Sequence, residues 1–245
     1  MCLSPDCQHG FSRRSALQIG LRTAIAASLS RSLITPLRAE EIEPRKPRPN
    51  AIKPEAALKR LMQGNARYVI NRPAYRDFNA GRAQRVSAQY PIAAILSCSD
   101  SRVAPEFAFD QGPGNLFVVR LAGNFANDDG LASFEYAVKY LGVPLIFVLG
   151  HSNCGAVSST IKVVEDKAEL PGHLPELVDA IKPAVEAAQA QSPKDLLAAA
   201  TRENVALNVK RLKESPPLLA DYVERGEVEV RGGVYDLATG KITLS

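Results

Sequence analysis

The chain has 245 residues, of which 46% are apolar, 23% charged and 6% aromatic. That composition excludes a disordered chain and a membrane bundle, and the length suits one large domain whose core needs no disulfides. The formal net charge of +4 sits at the N-terminus: residues 1–39 hold Arg13, Arg14, Arg22, Arg31 and Arg38 against Asp6 alone, which leaves 25 charges of each sign beyond them. A body balanced in this way is not expected to bind nucleic acid by neutralising phosphates.

The basic start leads into a weakly apolar stretch whose longest uncharged run covers only residues 23–30. A spanning helix needs about 20 apolar residues, so no stable membrane insertion is expected. Ser12-Arg13-Arg14-Ser15-Ala16-Leu17, with Leu37-Arg38-Ala39 ahead of an acidic segment, resembles an export signal of the twin-arginine type. Ala16 and Gln18 depart from the usual Phe and Lys of that signal. The resemblance implies an export signal over residues 1–39, read by export machinery through residues 12–39. The expected destination is the periplasm, with a thylakoid lumen as the other compartment served by such signals. Cys2, Cys7 and His9 lie ahead of the paired arginines and would leave with the signal, so the mature chain is expected to keep two cysteines, Cys98 and Cys154.

Residues 40–52 are rich in proline and charge and read as a linker or N-terminal arm. Residues 53–69 have helical spacing, with Pro54 in the first turn and Leu58, Leu61 and Met62 on one side. Residues 72–90 are polar and irregular. Three continuously apolar runs, 91–98, 115–121 and 144–150, read as strands buried on both faces. An amphipathic helix over 128–140 is capped by Asn127-Asp128-Asp129 and ended by Gly142 and Pro144. Further helices are predicted over 156–165, 174–190, 196–214 and 217–225. A strand over 227–235 then turns through 236–240 into another over 241–244. Strands alternating with helices predict an α/β fold with a mostly parallel central sheet flanked by helices, in one domain over residues 53–245.

Cys98-Ser99-Asp100-Ser101-Arg102 begins where the first apolar run ends, and His151-Ser152-Asn153-Cys154-Gly155 begins where the third ends. In open α/β sheets, ligands bind beyond the carboxyl ends of strands, so both segments belong to the functional edge. Two cysteines and one histidine match the ligands of a catalytic zinc site with one position open. Cys154 also stands near a helix N-terminus, where the dipole favours a thiolate. Three other readings remain at this point: buried cysteines as ordinary core residues, a Cys98–Cys154 disulfide, and a phosphate-binding cysteine loop. The last places its arginine one residue further on and wants glycines to cradle phosphate, which Asp100 would repel, and a disulfide leaves His151 and the Asp100/Arg102 pair unexplained.

Cys-Ser-Asp-Ser-Arg followed about fifty residues later by His-x-x-Cys-Gly resembles the β-class carbonic anhydrases. The resemblance runs over residues 54–244 and includes Phe117-Val118-Val119-Arg120, Ala122-Gly123-Asn124 and Glu135-Tyr136-Ala137-Val138. It implies four parallel strands plus one antiparallel edge strand, and a homodimer or a multiple of dimers with each pocket at a subunit junction. It also implies one zinc ion per subunit and hydration of CO2 to bicarbonate and a proton by attack of zinc-bound hydroxide. Gln89 matches a glutamine that hydrogen-bonds substrate, Phe117 and Tyr136 match apolar pocket walls, and Gly155 lets backbone approach the metal edge. Ala122 stands where larger aliphatics are common.

On residue chemistry, Cys98, His151 and Cys154 are the metal ligands. Asp100 is the catalytic group that orients the attacking oxygen, and Arg102 keeps Asp100 ionised and aimed. In a subset of the family the matching aspartate is itself a fourth ligand, so Asp100 also counts among candidate metal residues. That subset carries a tryptophan where this chain has Ile95, which favours the open form. Two other functions remain: hydrolysis of carbon disulfide or carbonyl sulfide by the same chemistry, and a zinc-stabilised binding protein without turnover.

Overall fold

The structure, a computed structural model, describes residues 48–245. The export signal and most of the linker read from the sequence lie outside those residues. The elements run α1 (Pro54–Val69), α2 (Arg82–Ser87), β1 (Ala93–Ser97), α3 (Pro105–Ala108), β2 (Leu116–Arg120), α4 (Asp128–Lys139), β3 (Leu145–His151), α5 (Gly155–Asp166), α6 (Leu174–Ala190), α7 (Leu196–Lys213), α8 (Leu218–Glu224), β4 (Glu229–Tyr235) and β5 (Ile242–Leu244). The strands form one five-stranded sheet in the order β2-β1-β3-β4-β5, parallel throughout except for the antiparallel β4–β5 pair. No helix among the described residues is long and apolar enough to cross a membrane.

Strand alternation divides the core. Ala94, Leu96, Ile146, Val148 and Val230 face α4, α7 and α8. Ala93, Ile95, Leu145, Phe147 and Leu149 face α1 and α3 on the other side. Both faces of the central strands are covered, which is why they read as unbroken apolar runs. A third cluster forms at the carboxyl edge, where α5, α6 and α7 close over Cys98 and Cys154 with Val157, Ile181, Val185, Ala199 and Ala200. That cluster covers the sulfur side of the site.

Three local departures from the sequence reading have physical causes. The polar segment 72–90 contains α2, a helix with no buried residue, so it leaves no hydrophobic period to detect. Helix α3 has four residues, one turn started by Pro105, which is too short for any periodic signal. The run 115–121 is a strand, but β2 is half-buried rather than fully covered, because it is the edge of the sheet and lacks a neighbour on one flank. The apolar side chains of Tyr90, Tyr136 and Tyr140 are exposed in the same chain.

Two packing constraints seat α1 and the segment after it. Gly64 meets the end of α3 backbone to backbone: a Cβ there would lie 1.7 Å from the Phe109 carbonyl oxygen. Asp110, whose side chain is 1% exposed, accepts from Arg67 Nε at 2.6 Å on Oδ2, while Arg76 Nη2 donates to its carbonyl and lies 2.5 Å from Oδ1 as an ion pair. The Ala74 amide donates to Oδ2 at 3.0 Å. Burial pushes this carboxyl up, but the amide and the two guanidiniums outweigh it and hold it below the usual carboxylate range. The knot pins residues 67–76 to the turn that leads into β2.

Asp110→Ala should therefore destabilise the protein by about 3 kcal/mol, the lower end for a broken buried pair, because both arginines are partly exposed and can turn to water. Urea denaturation of parent and variant measures this. The folded carboxyl is depressed, so its contribution is complete above the ordinary carboxylate range and is lost as pH falls toward the folded value. The gap between parent and variant should accordingly shrink in acid.

Candidate metal centre

Two strand ends supply the cluster. Cys98 follows the last residue of β1, and His151 is the last residue of β3, paired in register with Tyr235 of β4. A tight turn with Asn153 in the left-handed region (φ 51°) brings the chain to Cys154, the N-cap of α5. Asparagine tolerates that backbone better than most residues. All three side chains are buried, and their donor atoms lie within 4.8 Å of one another. Both cysteines are free thiols, so the disulfide reading falls away.

His151 shows how the cluster is aimed. Its Nδ1 lies 2.9 Å from the Ser152 carbonyl and must donate there, which leaves a lone pair on Nε2. Ser152 is fixed in turn: its amide donates to the Tyr235 carbonyl at 2.9 Å, and the Leu237 amide donates to its Oγ at 2.9 Å. Nε2 is buried and has no hydrogen-bond partner. A buried acceptor left in this state is costly unless something else takes its lone pair. A metal ion would do so, with both sulfurs at hand. A carbonyl behind the other ring nitrogen is the usual way to orient a ligating histidine.

The electrostatics agree. The Cys98 thiol is pulled down by the hydrogen bond from Cys154, helped by His151 and by the Gly123 amide, against its burial. Cys154 moves the opposite way because Cys98 takes the negative charge, and burial adds to this against the Ala156 and Val157 amides. Burial works against a charged His151, yet Cys98, the Ser152 carbonyl and Asp100 draw its pKa upward. The pocket thus holds protons it would exchange for a dication, and its two-thiolate, one-imidazole donor set fits zinc.

Beside the cluster, Asp100 is gripped as a fork. Arg102 donates from Nε to Oδ1 at 2.9 Å and from Nη2 to Oδ2 at 2.6 Å, and its amide donates to Oδ1 at 2.9 Å. This guanidinium holds the Asp100 carboxyl well below the usual carboxylate range. Asp100 Oδ2 is 3.7 Å from His151 Nε2, so the carboxylate borders the site while both of its oxygens are engaged by Arg102. The convergent donor set is Cys98, His151 and Cys154, without Asp100. Ile95 lies in the core against α1 and α3.

Arg120 and Gly123 act here without a role in the sequence reading. Arg120, the last residue of β2, donates to the carbonyls of Cys98 (3.1 Å), Asp100 (2.7 Å) and Val103 (2.9 Å). It braces the loop that carries both a ligand and the carboxylate. Gly123 donates its amide to Cys98 Sγ at 3.2 Å. Both stand in the quoted motif, but contacts to backbone carbonyls and to sulfur leave no residue-type signature.

The remaining candidates lie elsewhere in the chain. Gln89 and Tyr136 line an open groove of about 950 Å³ with Arg48, Arg85, Tyr90 and Tyr140. None of Cys98, Asp100, His151 and Cys154 lines it. Phe117 stacks on Tyr136 with ring centroids 6.4 Å apart and packs into the core beside α4. Within one protomer these three do not converge on the donor atoms. Gly155 does adjoin Cys154, and a Cβ there would meet nothing within 4 Å, so the approach at that side is open.

A buried thiolate-rich dication site beside a carboxylate kept ionised defines a class: the metal enzymes that activate water against an electrophile. Residues 93–242 match the protein family described as carbonic anhydrase. The chain is 38% identical over 193 residues to a carbonic anhydrase of Mycolicibacterium smegmatis, covering 78% of this chain and 93% of that one. It is 44% identical over 133 residues to carbonic anhydrase 2 of Mycobacterium tuberculosis, covering 54% and 64%. Among solved structures, the β-carbonic anhydrase CcaA superposes with a TM-score of 0.61 at 27% identity, over 77% of this chain and 87% of that one. A tetrameric β-carbonic anhydrase of Sordaria macrospora does so with a TM-score of 0.60 at 25% identity, over 68% and 86%. The chain belongs to the β-class carbonic anhydrase family.

Removing the Arg120 brace should misplace the loop without removing a ligand. Arg120→Ala is expected to lower kcat/KM for CO2 hydration by about 10- to 100-fold. Arg120→Lys should recover little, since an ammonium cannot span three carbonyls as the planar fork does. Steady-state kinetics on zinc-replete protein checks both.

Proposed function

We propose that the protein catalyses the reversible hydration of CO2 to bicarbonate and a proton, with one zinc ion per subunit held by Cys98, His151 and Cys154. The observation that carries this reading is the meeting of three donor atoms within 4.8 Å next to a carboxylate locked by Arg102. Zinc bound there supplies a Lewis acid that makes water nucleophilic near neutral pH. Asp100 accepts a hydrogen bond from the attacking oxygen and turns its lone pair toward the carbon of CO2. Arg102 holds the Asp100 carboxylate ionised and aimed, which leaves it an acceptor rather than a donor. The cluster around Ile181, Val185 and Val157 excludes bulk water behind the sulfurs. The new C–O bond forms as one C=O π bond of CO2 breaks, and the proton released leaves toward solvent at the open Gly155 side.

Gln89, Phe117 and Tyr136 form the substrate-facing wall in this reading, supplied across a junction between two copies. Their groove lies beside the half-covered edge strand, and the exposed tyrosines there are suited to burial against another protomer. The assembly is accordingly a homodimer or a multiple of dimers.

Because Asp100 stays ionised far below neutrality, its titration does not shape the activity near pH 7. Cys98 and Cys154 as thiolates would neutralise a bound dication more fully than three imidazoles do, so a water activated there would ionise above the pKa of about 7 found on a three-histidine site. Stopped-flow CO2 hydration should show kcat/KM rising from neutral to alkaline pH. Asp100→Asn should lose about 100-fold or more in kcat while keeping zinc. Full turnover in that variant would overturn the role of Asp100. A folded, zinc-replete parent without CO2 turnover would move the search to carbon disulfide and carbonyl sulfide.

Residues 12–39 act as a twin-arginine-like export signal in the same reading, which places the enzyme in the periplasm. Support comes from Arg13-Arg14, the weakly apolar stretch that follows, and Leu37-Arg38-Ala39. A reporter fused after Ala39 should be exported, and Arg13→Lys with Arg14→Lys should abolish that export. Unchanged export of the double variant would remove the twin-arginine assignment.

A further inference from the structure

Helix α7 packs Ala199 and Ala200 against the two cysteines, and it also grips the backbone of the loop that meets Cys98. Residues 121–124 form a turn closed by the Asn124 amide donating to the Leu121 carbonyl at 2.9 Å, with Gly123 at φ +82° in its third position. A single positive φ at that position is the mark of a type II turn. Type I and type II turns differ by a flip of the central peptide, here the one between Ala122 and Gly123. In this turn, that peptide points its N–H at Cys98 Sγ, 3.2 Å away. The flipped form would present a carbonyl to the sulfur instead. Turn type therefore decides whether the thiolate meets a donor or an acceptor.

Two buried asparagines of α7 hold the backbone where it leaves the turn, at the Gly123 carbonyl and the Ala126 amide, and so fix the peptide that follows the central one. Asn204 Nδ2 donates to the Gly123 carbonyl at 2.7 Å. Asn208 Oδ1 accepts from the Ala126 amide at 2.8 Å, and its Nδ2 donates to Asn204 O at 2.8 Å and Asn204 Oδ1 at 3.2 Å. The polarity of the ladder is forced from one end. The Ala126 amide needs an acceptor, so Asn208 offers its oxygen there and its nitrogen to Asn204, which leaves Asn204 to donate to Gly123. Both asparagines are at most 2% exposed, and leaving such groups unpaired is costly, so the ladder resists rearrangement. On the other side, a Cβ at Gly123 would lie 2.4 Å from Ile181 Cδ1, which keeps the position glycine and the turn close against α6.

We propose that Asn204 and Asn208 are positioning residues for the Cys98 ligand: they lock the 121–124 turn so that the Gly123 N–H faces the sulfur, and so set the donor strength of that thiolate toward the metal. An N–H···S bond withdraws charge from the thiolate lone pairs and restricts the side chain. Its loss leaves a more strongly donating, less well-placed sulfur. The inference rests on the reading of Cys98, His151 and Cys154 as zinc ligands, but not on which substrate is turned over.

The test uses the full chain with Asn204→Ala and Asn208→Ala, and Asn65→Ala as control. Asn65 is also a buried asparagine, bonded to the Ala108 and Gly240 carbonyls and the Ile242 amide, away from the metal centre. Zinc affinity is measured by chelator competition, and the sulfur-to-metal charge-transfer band is recorded after cobalt(II) substitution. Asn204→Ala should weaken zinc by about 10- to 100-fold and move the band to lower energy, with a smaller change of the same sign in Asn208→Ala. Asn65→Ala should lose thermal stability with both metal readouts unchanged. Should Asn204→Ala not fold, Asn208→Ala carries the test alone, since it leaves the Asn204 contact to Gly123 in place. Parent-like affinity and band in the folded asparagine variants overturn the proposal. Band shifts as expected in a protein that does not hydrate CO2 would overturn the proposed function and leave this inference standing.

Discussion

Everything at the carboxyl edge of the sheet depends on one unfavourable arrangement: two thiols and an imidazole acceptor packed together in the protein interior. Left to themselves these groups pull protons from one another, and His151 Nε2 keeps a lone pair with no partner. A folded chain tolerates this only if the surroundings over-determine the geometry and a cation completes it. The surroundings do so from every side. Helices α5, α6 and α7 supply the apolar cover, while the backbone around Ser152 and Gly123 supplies directed polar contacts. Low dielectric makes each of those contacts count for more than it would at the surface.

The loop carrying Asp100 is fixed by arginines from two directions. Arg102 ties the carboxylate to its own backbone and reaches across to the Asn153 carbonyl at 3.2 Å, so the β1 and β3 ends are joined through it. Arg120 comes from β2 and gathers three carbonyls of the same loop. A guanidinium is suited to both tasks because its donors lie in one plane and it stays charged at all relevant pH. Strand order thus becomes chemistry: β2, β1 and β3 are neighbours, and each contributes from its carboxyl end to the same small volume.

Much of this was legible in the sequence because residue type and position coincided. Cysteine, histidine and aspartate at the ends of apolar runs point to metal chemistry before any coordinates are known, and the central strands read as unbroken apolar runs because both faces are covered. What stayed hidden worked through other means. Asn204 and Asn208 are separated from their loop partners by 81 and 82 residues, and asparagine mid-helix looks the same whether it faces solvent or holds a turn. The half-covered state of β2 is a property of sheet order, which an apolar run does not encode. Helix α2 buries nothing and α3 is a single turn, so neither leaves a period. Gln89 and Tyr136 carry the family pattern yet lie away from the donor atoms of their own chain, because their setting is a groove beside the sheet edge.

Charge balance explains why Asp100 can sit beside three convergent donor atoms while bonded to Arg102. Two thiolates neutralise a dication, so a bare carboxylate arriving next would add an uncompensated charge in a region of low dielectric. It would relieve that charge either by taking a proton or by moving onto the metal. Arg102 removes both incentives. The pair enters as a neutral unit, with both carboxylate oxygens occupied by the fork and the carboxyl held below its usual range. The guanidinium itself is half exposed, so its charge is stabilised by water on the outer side while its donors face inward. A carboxylate held this way keeps lone pairs available to an incoming hydrogen-bond donor, since each oxygen accepts more than one bond. The fork therefore does two things at once: it ties up both oxygens of Asp100 with Oδ2 3.7 Å from His151 Nε2, and it holds the carboxyl in its ionised form.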